Sequence, residues 1–273
     1  MRLTERLDIT TAIAKRAGEQ IREARHRQDF DQHYKKGSEL VTNVDIAVDT
    51  AIGEALQSRF PEERRLTEEL SPDQQILERL ESLWVIDPID GTVNFAHGLA
   101  HVAVSIAWNN AGRTELGVVH APFLGETFTA IRGQGAYLNG TRIRVSRTDS
   151  LARGLVATGF PYRRDSRTPL MRRLAAVLAN CQDIRRNGSA ALDLCDVACG
   201  RLDAYYESVK PWDFAAGLLI AREAGARTGH LYPCPAGVPH DLYGENIVTS
   251  TPDLYGSLTD LLQRADADKV PND

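Results

Sequence analysis

The sequence predicts a layered α/β protein, and three observations carry that expectation. Two long helical patterns open the chain, a block of β-branched and aromatic runs joined by tight-turn signals fills its middle, and short strands alternate with helices through its second half. The 273 residues are 42% hydrophobic, enough for a sizeable core in one large or two closely packed domains. No internal repeat, low-complexity linker or Pro-rich boundary divides them.

Residues 3 to 27 repeat Ile9, Ile13, Ala17 and Ile21 at helical spacing, and residues 43 to 59 do the same with Val48, Ile52, Ala55 and Leu56. Thr42-Asn43-Val44-Asp45 reads as a capping box before the second helix, with Asp45 where Glu is more usual. After Arg64-Arg65-Leu66-Thr67 and the acidic pair Glu68-Glu69, the unbroken apolar run Leu83-Trp84-Val85-Ile86 predicts a strand buried on both faces. Residues 102–108, 116–120 and 127–131 read as antiparallel strands, and Asn139-Gly140 as a hairpin turn before Ile143 and Val145. A strand at 156–158, helices over 169–180 and 189–199, a strand over 202–206 and a helix over 213–225 follow.

Composition excludes more than it identifies. A formal charge of −5 gives no electrostatic case for broad nucleic-acid binding, and the short basic pairs Arg163-Arg164, Arg172-Arg173 and Arg185-Arg186 read as solvated faces or subunit contacts. No apolar run reaches membrane-spanning length, and the charged start at Arg2, Glu5, Arg6 and Asp8 lacks a signal-like segment, so a cytoplasmic protein is expected. Cys181, Cys195, Cys199 and Cys234 lack a disulfide-rich spacing and read as reduced thiols. Gly133-Gln134-Gly135 lacks the third glycine of a dinucleotide loop, and Walker, His-Glu-x-x-His and Gly-x-Ser-x-Gly motifs are absent.

The chemistry concentrates in Asp87-Pro88-Ile89-Asp90-Gly91-Thr92, two carboxylates three residues apart directly after the buried run. Acids converging there repel one another, a cost offset by a bound cation or by protonation of one member. Glu68-Glu69 upstream and Trp212-Asp213 downstream add further carboxylates, and an all-oxygen donor set favours Mg2+ or Mn2+ over zinc or copper. Gly91-Thr92 reads as a turn entering a helix, where backbone N–H groups attract an anion. Thr92 adds a hydroxyl that can orient a water if Asp45 holds it. Each piece alone has a plainer reading: Asp-Pro-x-Asp-Gly as a turn, Glu68-Glu69 as a solvated pair, Trp212-Asp213 and Ser189 as helix starts, and Asp45 as a cap.

Together these residues resemble the inositol monophosphatase family of Mg2+-dependent, lithium-sensitive phosphatases. The resemblance rests on residues 87–92, on Glu68-Glu69 and on Trp212-Asp213-Phe214-Ala215-Ala216-Gly217. Leu40-Val41-Thr42-Asn43-Val44-Asp45, Arg132-Gly133-Gln134-Gly135-Ala136, Ala157-Thr158-Gly159-Phe160-Pro161 and Gly188-Ser189-Ala190-Ala191 are similar to its bacterial branch, in the expected order over residues 5 to 265. The resemblance implies an αβαβα sandwich with the site between an α+β half, 1–145, and an α/β half, 146–273, in one compact unit.

It further implies metal ligation by Glu68, Asp87, the Ile89 carbonyl, Asp90 and Asp213, for two or three Mg2+ ions. Thr92 with Asp45 would position the attacking water, Glu69 would be the second acid beside Glu68, and Gly91 and Thr92 would cradle phosphate. Gly188, Ser189, Ala190 and Glu207 would hold the sugar or cyclitol, in a homodimer acting on inositol 1-phosphate. Relatives with this core hydrolyse fructose 1,6-bisphosphate, histidinol phosphate or 3′-phosphoadenosine 5′-phosphate, and some bacterial relatives bind transcription machinery. Val93 stands where many relatives have a second Thr, Thr67 replaces a common Gly or Ala, and both the 207–213 segment and the basic loop Lys35-Lys36-Gly37-Ser38-Glu39 are about one residue short.

Overall fold

The computed structural model describes residues 1–28, 30–35, 39–72, 81–160 and 167–267. Lys36, Gly37 and Ser38 of the basic loop, Pro161, and the Arg163-Arg164 pair lie outside the described residues. Helix α1 (Leu3–Arg27) buries Thr10, Ala14, Ala17 and Ile21 along one stripe and ends at Gln28 in the left-handed conformation. The short strands β1 (Gln32–Lys35) and β2 (Glu39–Thr42) pair antiparallel and lead into α2 (Asn43–Arg59), which the Thr42 side chain caps by accepting from the Val44 N–H.

Seven strands then form one sheet in the order β3-β4-β5-β6-β7-β8-β9, in which β3 runs parallel to β4 and the rest are antiparallel. They are β3 (Arg64–Thr67), β4 (Leu83–Asp90), β5 (Ala103–Asn110), β6 (Arg113–Ala121), β7 (Glu126–Ile131), β8 (Gly135–Leu138) and β9 (Thr141–Arg142), with the one-and-a-half-turn helix α3 (Thr92–Ala96) after β4. The expected hairpin turn closes β8 and β9, with Asn139 and Gly140 both at positive φ. A five-stranded sheet, β11-β10-β12-β14-β13, uses β10 (Leu155–Thr158), β11 (Asp183–Arg185), β12 (Ala204–Glu207), β13 (Arg227–His230) and β14 (Ile247–Ser250). Helices α4 (Arg167–Leu178), α5 (Ala190–Ala198), α6 (Pro211–Glu223) and α7 (Pro252–Ala267) complete the fold.

The cores reveal the layering. Every residue of β4 is buried. Trp84 and Ile86 face a core made with α1 and α2, whereas Leu83 and Val85 face a second core made with α5 and α6. The far side of that second core meets Ala157 and Tyr205 of the five-stranded sheet, whose other face packs Val156, Ala204, Tyr206 and Val248 against α4 and α7. Five layers result, α1α2, sheet, α5α6, sheet, α4α7, which is the expected αβαβα sandwich. The middle layer fits because its contacts are small: a Cβ at Gly117 on β6 would lie 2.9 Å from the Ala216 carbonyl oxygen of α6.

Several boundaries differ from expectation. The buried strand extends through Asp90 because a register shift between Asp87 and Asp90 keeps it paired with β5. Helix α6 starts at Pro211, since proline's fixed φ suits the first helical turn and leaves no amide to satisfy. The strand expected over 202–206 spans Ala204–Glu207. Strands β1, β2, β3, β11, β13 and β14 and helix α7 add to the elements expected from sequence.

A carboxylate cluster at the end of β4

The bulge that ends β4 aims Asp87 and Asp90 toward the start of α6. Asp87 folds back so that its Oδ1 accepts the Ile89 N–H at 2.9 Å. Asp90 Oδ2 accepts the Ser189 hydroxyl at 2.6 Å and the Ala191 N–H at 2.7 Å, both from the first turn of α5. Asp213 stands in the first turn of α6 and accepts the Lys210 N–H at 2.7 Å, capping its own helix. Ser105, opposite Asp87 on β5, donates to the Trp212 carbonyl at 3.1 Å and anchors α6 beside the acids. One carboxylate oxygen from each of Asp87, Asp90 and Asp213 lies within 4.8 Å of the others.

Three carboxylates this close are electrostatically frustrated. Burial, then the charges of Glu68, Asp90 and Asp213, raise Asp87 well above the usual carboxylate range. Burial pushes Asp90 up to about 6 against its hydrogen bonds from Ser189 and Ala191, and burial with the Asp90 charge pushes Asp213 up to about 7. Once ionised, these acids carry mutually repelling charge that Lys210 beside Asp213 and His101 beside Asp90 ease only in part. Hard oxygen donors in that condition fit a divalent cation of the Mg2+ type. Glu68 follows β3 and donates its N–H to the Ile86 carbonyl at 3.3 Å, which fixes its backbone alongside the strand that carries Asp87. Glu69, half-buried, is its neighbour in the same turn. Thr67, in place of a small residue, uses its hydroxyl to accept the Leu70 and Ser71 N–H groups at 3.2 and 3.0 Å and shapes that turn.

On the other side of β4, Thr92 Oγ1 lies 2.9 Å from Asp45 Oδ1 and 3.1 Å from the Ile89 carbonyl. Asp45 Oδ2 accepts both the backbone N–H and the hydroxyl of Thr42, at 2.8 and 2.5 Å. The capping box and the Thr92 contact are thus the same carboxylate at work with its two oxygens. Burial raises Asp45 above its ordinary range while the Thr42 and Thr92 hydrogen bonds pull it back. A Thr92 hydroxyl that donates to Asp45 keeps its lone pairs free to accept from a water.

Gly91 precedes α3 at φ 96°, and a Cβ there would lie 2.9 Å from the His101 carbonyl oxygen and 3.2 Å from that of Gly188. The backbones of residues 91 and 188 therefore meet directly. Ser189 caps α5 by accepting the Leu192 N–H at 3.3 Å, and Ala190 is the first helical residue, so Ser189 both starts its helix and braces Asp90. Glu207 ends β12, takes a 2.7 Å hydrogen bond from the Tyr205 hydroxyl, and is pushed up to about 8 by burial.

Asn94 and His101 were not singled out from sequence. Asn94 Nδ2 donates to the His101 and Asn187 carbonyls, both at 2.7 Å, tying α3 to the approaches of β5 and α5. His101 Nε2 lies 3.5 Å from Asp193 Oδ1, and its charge also acts on Asp90, so a histidine does stand near the acids. The only available signal was position: Asn94 falls two residues after Thr92.

Fold and oxygen-donor cluster together define the class, a protein of the sugar- and cyclitol-phosphatase architecture. The chain belongs to the inositol monophosphatase family, whose model matches residues 2–266. It is 44% identical over 236 residues to a protein called Nus factor SuhB in Pasteurella multocida, covering 83% of this chain and 87% of that one. The solved extragenic suppressor protein suhB of Bartonella henselae superposes with a TM-score of 0.85 at 32% identity, covering 94% of this chain and 98% of the other. The IMPase of Thermotoga maritima does so with a TM-score of 0.83 at 32% identity, covering 96% and 98%.

Proposed function

We propose that this protein is a Mg2+-dependent phosphate monoester hydrolase, with inositol 1-phosphate as its leading substrate. The observation that carries the reading is the Asp87–Asp90–Asp213 cluster, whose oxygens lie within 4.8 Å of one another and whose charge calls for a cation. Asp87, Asp90 and Asp213, with Glu68 and the Ile89 carbonyl, would hold two or three Mg2+ ions. Such ions, when bound, supply Lewis acidity toward the phosphoryl and leaving oxygens and a water acidic enough to act as nucleophile.

The remaining work falls to the chain itself. Thr92 accepts a hydrogen bond from the attacking water while donating to Asp45, which holds that water in line with phosphorus. Glu69 stands as the second acid beside Glu68. The backbone at Gly91 and Thr92 faces the phosphate, and Gly188, Ser189, Ala190 and Glu207 line the side on which the alcohol departs, Ser189 acting through Asp90. No phosphoenzyme is needed. The family's lithium sensitivity and homodimer belong to this same reading.

Phosphate release from inositol 1-phosphate, fructose 1,6-bisphosphate, histidinol phosphate and 3′-phosphoadenosine 5′-phosphate tests it, with Mg2+, with EDTA and with added Li+. Mg2+-dependent release from inositol 1-phosphate above the others supports the reading, and release from a different member corrects the substrate. Silence on all four with folded protein defeats it. The name Nus factor borne by relatives such as that of Pasteurella multocida favours a second reading, in which the protein binds transcription machinery. A pull-down with the Asp90→Asn variant separates the two, because binding that survives loss of turnover belongs to a surface and not to the catalytic centre.

A further inference from the structure

A second group of metal-ligating side chains sits at the end of β13, apart from the acidic cluster and independent of the proposed activity. His230, Cys234 and His240 each present one ligand atom within 4.8 Å of the others. Three residues separate the first pair and five the second, along a segment stiffened by Pro233, Pro235 and Pro239. We propose that these three residues form a Zn2+ site, with two imidazoles and one thiolate and a fourth position open to water.

The tautomer of His230 supports this. Its Nε2 lies 2.7 Å from the Tyr243 carbonyl oxygen, an acceptor only, so Nε2 carries the proton and donates it. Nδ1 is then the nitrogen with the free lone pair, and it points at Cys234 Sγ, 3.2 Å away. A backbone carbonyl that fixes one ring nitrogen as donor and frees the other is the arrangement found behind metal-bound histidines.

Without a metal the Cys234 thiol donates to Nδ1. Metal binding replaces that proton with the ion, the Sγ proton leaving to solvent. In a tetrahedral site with bonds of about 2.3 Å to sulfur and about 2.0 Å to nitrogen, the two ligand atoms stand about 3.5 Å apart. The present 3.2 Å therefore needs only a small outward movement. His240 is exposed and its ring centroid lies 6.0 Å from that of His230, so it can swing in as third ligand without breaking a core contact. Imidazole and thiolate donors favour Zn2+ and reject Mg2+, which the acidic cluster suits instead. The ion would pin the segment after β13 against the strand.

The test uses the full chain, stripped with EDTA, returned to excess Mg2+, and titrated with Co2+ as a spectroscopic stand-in for Zn2+. One equivalent of Co2+ giving a near-ultraviolet thiolate charge-transfer band and intense tetrahedral visible bands, bleached by Zn2+, is the expected result. Cys234→Ser should lose the charge-transfer band, and His240→Ala should weaken Co2+ binding at least about tenfold. The Asp87→Asn variant should keep the band, which separates this site from the acidic centre. Thermal melting of wild type and Cys234→Ser, with and without Zn2+, shows whether each variant is folded and whether Zn2+ raises the wild-type midpoint alone. Folded wild type with no band, or a band that persists in Cys234→Ser, overturns the proposal and leaves a thiol–imidazole hydrogen bond.

Discussion

Replacing Asp90 by asparagine should make the metal-free protein more stable while abolishing its response to Mg2+. The substitution keeps an oxygen where Ser189 and the Ala191 N–H donate, but removes one negative charge from beside Asp87 and Asp213. Asp90 is pushed from an ordinary 3.8 to about 6, so ionising it costs about 3 kcal/mol more in the folded protein than in the unfolded chain. That cost is absent below the unfolded value, grows as pH rises from the unfolded value to the folded one, and is complete by about pH 7. For a chain of this size it corresponds to roughly 6 to 12 °C in melting temperature.

The assay is thermal unfolding of wild type and Asp90→Asn in EDTA and in Mg2+, between pH 4 and pH 8, alongside turnover. The variant should match wild type at the acid end and melt higher at pH 8 in EDTA. Mg2+ should raise wild type and leave the variant unmoved and inactive. A variant that melts below wild type at pH 8 in EDTA would falsify the burial cost of ionising Asp90. Full Mg2+ stabilisation and turnover in the variant would remove Asp90 from the ligand set.

Thr92→Val preserves shape and loses the hydroxyl held by Asp45, so kcat should fall by about a hundredfold or more with KM little changed; unaltered kcat would end the water-positioning role. Gly117→Ala presses a methyl against the Ala216 backbone and should cost about 1 to 3 kcal/mol, read by denaturant unfolding. It should also raise the Mg2+ needed for half-maximal rate, because α6 carries Asp213. With Asp90 near 6 and Asp213 near 7, apparent Mg2+ affinity should climb between pH 6 and pH 8 as both become ionised. Ser189→Ala removes a hydrogen bond that favours ionised Asp90 and should move that rise to higher pH, an effect that loss of a helix cap alone, about 1 kcal/mol, does not produce.

What could be read from sequence was local. The helical stripes of α1 and α2, the apolar run of β4 and the Asn139-Gly140 turn each carry their own signal within a few residues. Strand β14 does not: Ile247–Ser250 is a four-residue segment defined by antiparallel pairing with β12 and β13, partners far away in the chain. Strand β3 hides for another reason, since Arg64 and Arg65 look like surface charge and become a strand only by pairing with buried β4. Arg6 likewise reads as solvated, yet it is buried with its guanidinium 4.2 Å from the Trp108 ring centroid and 2.6 Å from Glu63.

In the candidate site, residue types and spacing picked out Asp87, Asp90 and Asp213, and the structure gathers these three. The bracing groups Ser105, Asn94 and Ala191 act through backbone carbonyls or N–H groups, and such contacts leave no mark on residue spacing. His230, Cys234 and His240 carry no familiar ligand spacing, and the turn after β13 is what brings them together.

The direct meeting of main chain at Gly91 and Gly188 divides the neighbourhood of the acids into two kinds of ground. Where backbone touches backbone, almost any side chain introduced at residue 91 is rejected on steric grounds, so this floor tolerates no variation. Beside it, Glu207 and Arg186 reach the same neighbourhood through their side chains, and a change of side chain there leaves that floor in place. Main chain thus sets a fixed boundary on one side of the acids, and side chains set an adjustable one on the other.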